Sequence, residues 1–81
     1  MGNVSEIEFW RDCPETEQDA DKLHGEPTVG PYRVAARTVI ECEELGETPE
    51  EIAEDYGLPL DKVNAILRYY HAREAQLAKS R

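Results

Sequence analysis

Cys13, His24, Cys42 and His71 are the side chains of this 81-residue chain best suited to hold a metal ion. None of them stands at the short spacing from which zinc knuckles and redox motifs are built. They predict plain thiols and structural or solvent-facing imidazoles, with no metal site. No nucleophile–base pair and no glycine-rich phosphate loop is present, and the acidic pair Asp19 and Asp21 lies in a polar stretch that reads as solvated linker. The chain is therefore expected to be no enzyme and to need no cofactor. What remains is recognition chemistry. Lys62, Asn64 and Arg68 are of the types that contact phosphates and the edges of adenine and guanine. Tyr69, beside Arg68 and Arg73, makes the aromatic–arginine mixture enriched at protein interfaces. Trp10, in a polar N-terminal segment, and Leu77, beyond the predicted core, are large apolar groups that a partner or a second copy of the chain would cover.

Charge discriminates between a nucleic-acid and a protein partner. Eighteen acidic residues against nine basic ones leave a net charge of −9, the opposite of the footprint of a nucleic-acid binder. Residues 1–26 and residues 27–60 each carry −6, and residues 61–81 carry +3. Such acidity also hydrates halophilic proteins, and composition alone leaves that cause open. At this size a hydrophobic core rarely supplies more than about 3–5 kcal/mol, so association with another chain, most simply as a homodimer, is expected. The sequence has no membrane-length apolar run and no signal-peptide pattern, which predicts a cytoplasmic protein.

These side chains must be positioned by a small set of elements. The alternation Glu6-Ile7-Glu8-Phe9-Trp10 predicts a short strand with Ile7 and Phe9 on one face. From Arg11 to Asp21 the chain is polar and acidic, which predicts a loop. Gly25-Glu26-Pro27-Thr28-Val29-Gly30-Pro31, followed by Tyr32-Arg33-Val34, predicts a small β-hairpin or a pair of edge strands around Gly30-Pro31. Ala36, Val39 and Ile40 then mark an amphipathic helix to about Leu45, stopped by Gly46. Thr48-Pro49-Glu50-Glu51 is a capping box with proline at N1, opening a helix that runs to Tyr56 and ends at Gly57. Val63, Ile66, Leu67, Tyr70 and Leu77 continue as the stripe of a long third helix, with Pro59 at its N-cap or N1. Tyr56 and Tyr70 are expected to pack, with their hydroxyls at the surface.

Residues 49–68 fit a helix-turn-helix: small Ala53 where the second helix crosses, Gly57 in the turn, and Val63 and Ile66 filling the angle. The predicted architecture is mainly α, with a small N-terminal β-hairpin or strand pair followed by a three-helix, homeodomain-like helix-turn-helix domain. Residues 1–24 form an acidic, partly disordered arm, and residues 25–81 form the domain. In a DNA reader the second helix would offer Lys62, Asn64 and Arg68 to the major groove while the first lay near phosphates. Here the first helix carries Glu50, Glu51, Glu54 and Asp55, which would repel a polyanion. Asn64 and Arg68 therefore read more simply as solvated helix residues.

The run from His24 to Tyr70 resembles the domain-of-unknown-function family 433, short bacterial and archaeal proteins regarded as VapB-type antitoxins. The resemblance rests on His24-Gly25-Glu26-Pro27, Arg33-Val34, the helix ending at Gly46, Thr48-Pro49-Glu50-Glu51-Ile52, Tyr56 and Ile66-Leu67-Arg68-Tyr69-Tyr70. Where members typically carry Gly-Thr-Arg-Ile-Pro-Val, this chain has Pro31-Tyr32-Arg33-Val34-Ala35-Ala36. The resemblance implies a helix-turn-helix subunit, often dimeric, of a toxin–antitoxin system, which neutralises a PIN-like ribonuclease and is able to repress its own operon. Trp10, Arg68, Tyr69, Arg73 and Leu77 are then the expected partner-binding residues. Two alternatives are a DNA-binding regulator using Lys62, Asn64 and Arg68, and a small accessory subunit of a larger protein complex.

Overall fold

The strongest local signals lie between residues 46 and 60, and the helices begin and end where those signals place them. In the computed structural model, which describes residues 8–18 and 26–79, a helical turn at residues 8–10 and two short strands precede three longer helices. These are β1 (Thr16–Glu17), β2 (Thr28–Val29), α1 (Ala36–Glu44), α2 (Pro49–Tyr56) and α3 (Leu60–Lys79). At the start of α2 the Thr48 hydroxyl accepts the Glu51 N–H at 3.2 Å, and the Glu51 carboxylate accepts the Thr48 N–H at 2.9 Å. Both halves of the capping box are therefore made, and Pro49 at N1 forfeits no hydrogen bond. The helix stops at Gly57, whose φ of 67° is left-handed, a conformation that costs other residues about 1–2 kcal/mol. The Pro59 carbonyl accepts the first N–H groups of α3, from Lys62 and Val63, which puts Pro59 at the N-cap.

Ile52 and Ala53 of α2 meet Val63, Ile66 and Leu67 of α3 across this turn, and Val39 and Ile40 of α1 close the third side. Val39, Ile52, Val63 and Ile66 are wholly buried, which makes the helical half a continuous apolar core.

The N-terminal half departs from the local reading in three places. Residues 8–10 are helical, where alternation predicted a strand over residues 6–10; Ile7 lies outside the described residues. Five alternating residues are a weak constraint, and a helical turn lets the neighbours Phe9 and Trp10 both reach α3. The polar stretch predicted as loop contains β1, which pairs antiparallel with β2, Thr16 opposite Val29 and Glu17 opposite Thr28. Its order comes from hydrogen bonds and buried anchors. The Thr16 hydroxyl donates to the Trp10 and Cys13 carbonyls at 3.1 and 3.0 Å, Gly30 N–H donates to the Glu15 carbonyl at 2.7 Å, and Cys13 is buried. Finally, the predicted fold-back around Gly30-Pro31 is present, with the Val29 N–H donating to the Val34 carbonyl at 2.8 Å, but it closes a single antiparallel bridge and the two-stranded sheet pairs β2 with β1 instead. Residues 30–34 make a turn, in which Gly30 has a φ of 52°, and β2 finds its main partner in β1 and an isolated bridge from Thr28 to Ala35. The described part of the N-terminal arm thus shares the core of the helical domain. His24, Asp19 and Asp21 lie outside the described residues. No described helix is long and apolar enough to cross a membrane.

Candidate functional site

Two features stand out on this frame: an aromatic seam joining the N-terminal turn to α3, and the outer faces of the helix-turn-helix. In the seam, Trp10 stacks on Tyr69 with centroids 5.3 Å apart and meets Phe9 edge-on at 5.2 Å. Phe9 also meets Tyr70 at 5.5 Å. The Tyr69 hydroxyl donates to the Phe9 carbonyl at 2.5 Å, fixing the N-terminal helical turn to α3. Burial pushes the Tyr69 phenol above its ordinary pKa, opposed by the nearby Arg73 charge. Arg73 sits with its guanidinium 5.7 Å from the Phe9 centroid, a cation–π contact.

Three of the expected partner-binding residues, Trp10, Tyr69 and Arg73, are therefore brought together, but as an internal contact. Trp10 is only 1% exposed, so it needs no second chain to cover it. The surface that covers this tryptophan of a polar segment is α3 of the same chain. Two adjacent aromatics near each end of the sequence, Phe9-Trp10 and Tyr69-Tyr70, were the signal for this pairing. The other two expected contacts do face solvent: Arg68 is exposed, and Leu77 is 45% exposed.

The residues of the DNA-binding alternative are less well grouped. At about 100° per residue Asn64 and Arg68 share one side of α3, while Lys62 points roughly 120–160° away from them. Lys62 is tied to Glu15 at 2.7 Å, and this hydrogen bond raises its pKa. Asn64 is half-buried, so Arg68 is the exposed member of the three. Against this, α2 presents Glu50, Glu51, Glu54 and Asp55, all exposed, along the face that in a DNA reader would lie near phosphates. Beside them Glu47 is pushed to a higher pKa by desolvation and by the charges of Asp55 and Glu51. The exposed Glu41 and Glu44 of α1 extend the negative surface.

Tyr56, expected to pack, is instead 42% exposed, with its hydroxyl accepting from the Cys42 thiol at 3.7 Å. That contact, ahead of the neighbouring charges and desolvation, raises its pKa. Both cysteines are buried and unpaired with each other, and burial pushes the Cys13 thiol up, away from the thiolate that reacts or binds metal. Among the described residues no group of three or more His, Cys, Asp or Glu side chains is arranged to hold a metal ion. What this surface can do chemically is attract a basic macromolecule through α2 while offering Arg68 and the exposed end of α3 as further contacts.

Comparison with curated proteins and with solved structures gives no match. The family model described as Protein of unknown function (DUF433) matches residues 17–70, from β1 through the strand pair and the helix-turn-helix to Tyr70, which is 54 of the 81 residues, and the chain belongs to that family.

Proposed function

We propose that this chain is an antitoxin-like regulatory protein that acts by binding another polypeptide, a PIN-like ribonuclease or a protein of similarly basic surface. The observation that carries the reading is the outer face of α2. Four exposed carboxylates occupy the helix that a DNA-reading helix-turn-helix sets against the phosphate backbone. Negative charge there repels a polyanion, yet it accelerates capture of a cationic protein and can occupy a groove that otherwise holds RNA. The exposed end of α3, with Leu77, supplies apolar surface for the same encounter.

The test is reconstitution of the full chain with a PIN-like ribonuclease encoded beside it. The reading expects a stable complex, suppressed RNA cleavage, and an association rate that falls steeply with added salt. Replacing Glu50 and Glu51 by Gln, Glu54 by Gln and Asp55 by Asn together should slow association about tenfold or more, since electrostatic steering alone contributes on that scale. Gln at position 51 keeps the capping box, so the helix start survives the substitution. Specific binding of the chain alone to operator duplex at physiological salt, abolished by Arg68→Ala, would overturn the reading in favour of a DNA-binding regulator.

A further inference from the structure

A cleft of about 330 Å³ opens between the N-terminal helical turn, α1 and α3. It lies at the small end of the roughly 300–1,000 Å³ range of ligand clefts, a size for one side chain and not for a strand or helix. Its walls are Phe9, Tyr70, the little of Trp10 that reaches solvent, and Ile40. Its rim is acidic. Glu41 is bound to Arg37 at 3.2 Å, and Arg37 also pairs with Glu26, so these groups satisfy one another. Glu44 and Glu74, also on the rim, are exposed and make no ion pair with any described residue.

Aromatic walls and two carboxylates that make no ion pair with a described residue suit a flat organic cation. The molecule itself supplies the precedent. Arg73, which does not line the cleft, already lays its guanidinium over Phe9. On the proposed protein-binding function, we infer that this cleft receives an arginine side chain from the partner polypeptide. Arginine suits it better than lysine: its guanidinium is weakly hydrated, stacks on rings and presents paired N–H groups to carboxylates. The acidic face of α2 would then steer the partner, and the cleft would fix its register.

The inference is tested on the isolated full chain, isotope-labelled, titrated with the tripeptide acetyl-Gly-Arg-Gly-amide and with its citrulline counterpart, a neutral near-isostere. The arginine peptide should shift the NMR signals of the Trp10 indole N–H and of the Phe9, Ile40, Tyr70 and Glu74 backbone, saturating in the millimolar range. The citrulline peptide should bind about tenfold more weakly, and Glu44→Gln with Glu74→Gln should weaken the arginine peptide by a similar factor. Both carboxylates are exposed, so the double variant should fold, and an unchanged amide spectrum away from the cleft verifies it. Equal binding of the two peptides, shifts elsewhere on the surface, or indifference to the double variant would overturn the assignment. A ribonuclease complex that forms while the peptide fails sinks the cleft alone; a peptide that binds while no such complex forms sinks the antitoxin reading alone.

Discussion

Residues 60–70 and residues 71–79 of α3 form one continuous helix, yet they belong to different parts of the molecule. The first segment carries all the buried residues of the helix, Val63, Ile66 and Leu67, and ends in the tyrosines that clasp Phe9 and Trp10. The second is exposed throughout except for half-buried Arg73. It stays helical because Ala72, Ala75, Gln76, Leu77, Ala78 and Lys79 are good helix formers and because the buried segment has already nucleated the helix. Lys79, in the last turn, also complements the negative end of the helix dipole. Buried packing is thus concentrated in one half of α3; in the other, His71 bonds Glu43 at 2.8 Å and Arg73 lies over Phe9, while Leu77 and its neighbours are left available for contact. A change at Val63, Ile66, Leu67 or Tyr69 should be read as unfolding, and a change at Leu77 as altered binding.

The sharpest way to break this division is Trp10→Ala. Removing a buried indole should cost about 3–5 kcal/mol in chemical denaturation and cut the cooperativity that joins the N-terminal turn to α3. A loss below about 1 kcal/mol would mean that the arm packs independently of the helices. Gly57→Ala comes next, at about 1–2 kcal/mol, because the left-handed turn that sets α2 against α3 disfavours a Cβ. Its Cβ would meet no atom within 4 Å, so the cost should be conformational and not steric. Tyr69→Phe should cost about 0.5–1.5 kcal/mol by deleting the hydrogen bond to the Phe9 carbonyl while keeping the stacked ring.

Alkaline pH should weaken the same seam. Burial holds the Cys13 thiol and the Tyr69 phenol protonated in the fold, whereas unfolding returns them to ordinary pKa values of about 8.5 and 10. The unfolded chain then binds fewer protons than the folded one, so the contribution is complete below about pH 8, starts to fall as pH passes these values and is lost as pH rises through the higher pKa values of the folded state. Urea midpoints at neutral and alkaline pH measure the loss, and Cys13→Ala should remove its earlier part. Smallest of all for stability is Leu77→Ala, expected within about 0.5 kcal/mol of the parent. The same substitution should lengthen no lifetime and shorten that of the partner complex, measurable as a faster dissociation rate.

The helical half was readable from short-range patterns because its rules act over three or four residues. Thr48, Pro49 and Glu51 start α2, Gly57 ends it, and the spacing of Val63, Ile66 and Leu67 marks the buried stripe of α3. The exposed carboxylates of α2 were readable for the same reason, since the face opposite Ile52 and Ala53 must be solvated. Trp10 was not. Its place depends on Tyr69 and Tyr70, some sixty residues on, and no local window carries that information. β1 was hidden in a polar stretch because a two-residue strand is held by its partner's backbone and by the Thr16 hydroxyl, not by its own side-chain pattern.

Residue types and spacing by themselves determined the helix boundaries, the helix-turn-helix and its negative exterior, through caps, glycine conformations and amphipathic periodicity. Only the tertiary structure decided that the N-terminal aromatics turn inward onto α3, that β2 pairs with β1, and that Lys62 is committed to Glu15. The reason is physical: local conformational preferences are written in neighbouring residues, whereas burial and charge pairing are settled by whichever distant surface the folded chain brings within reach.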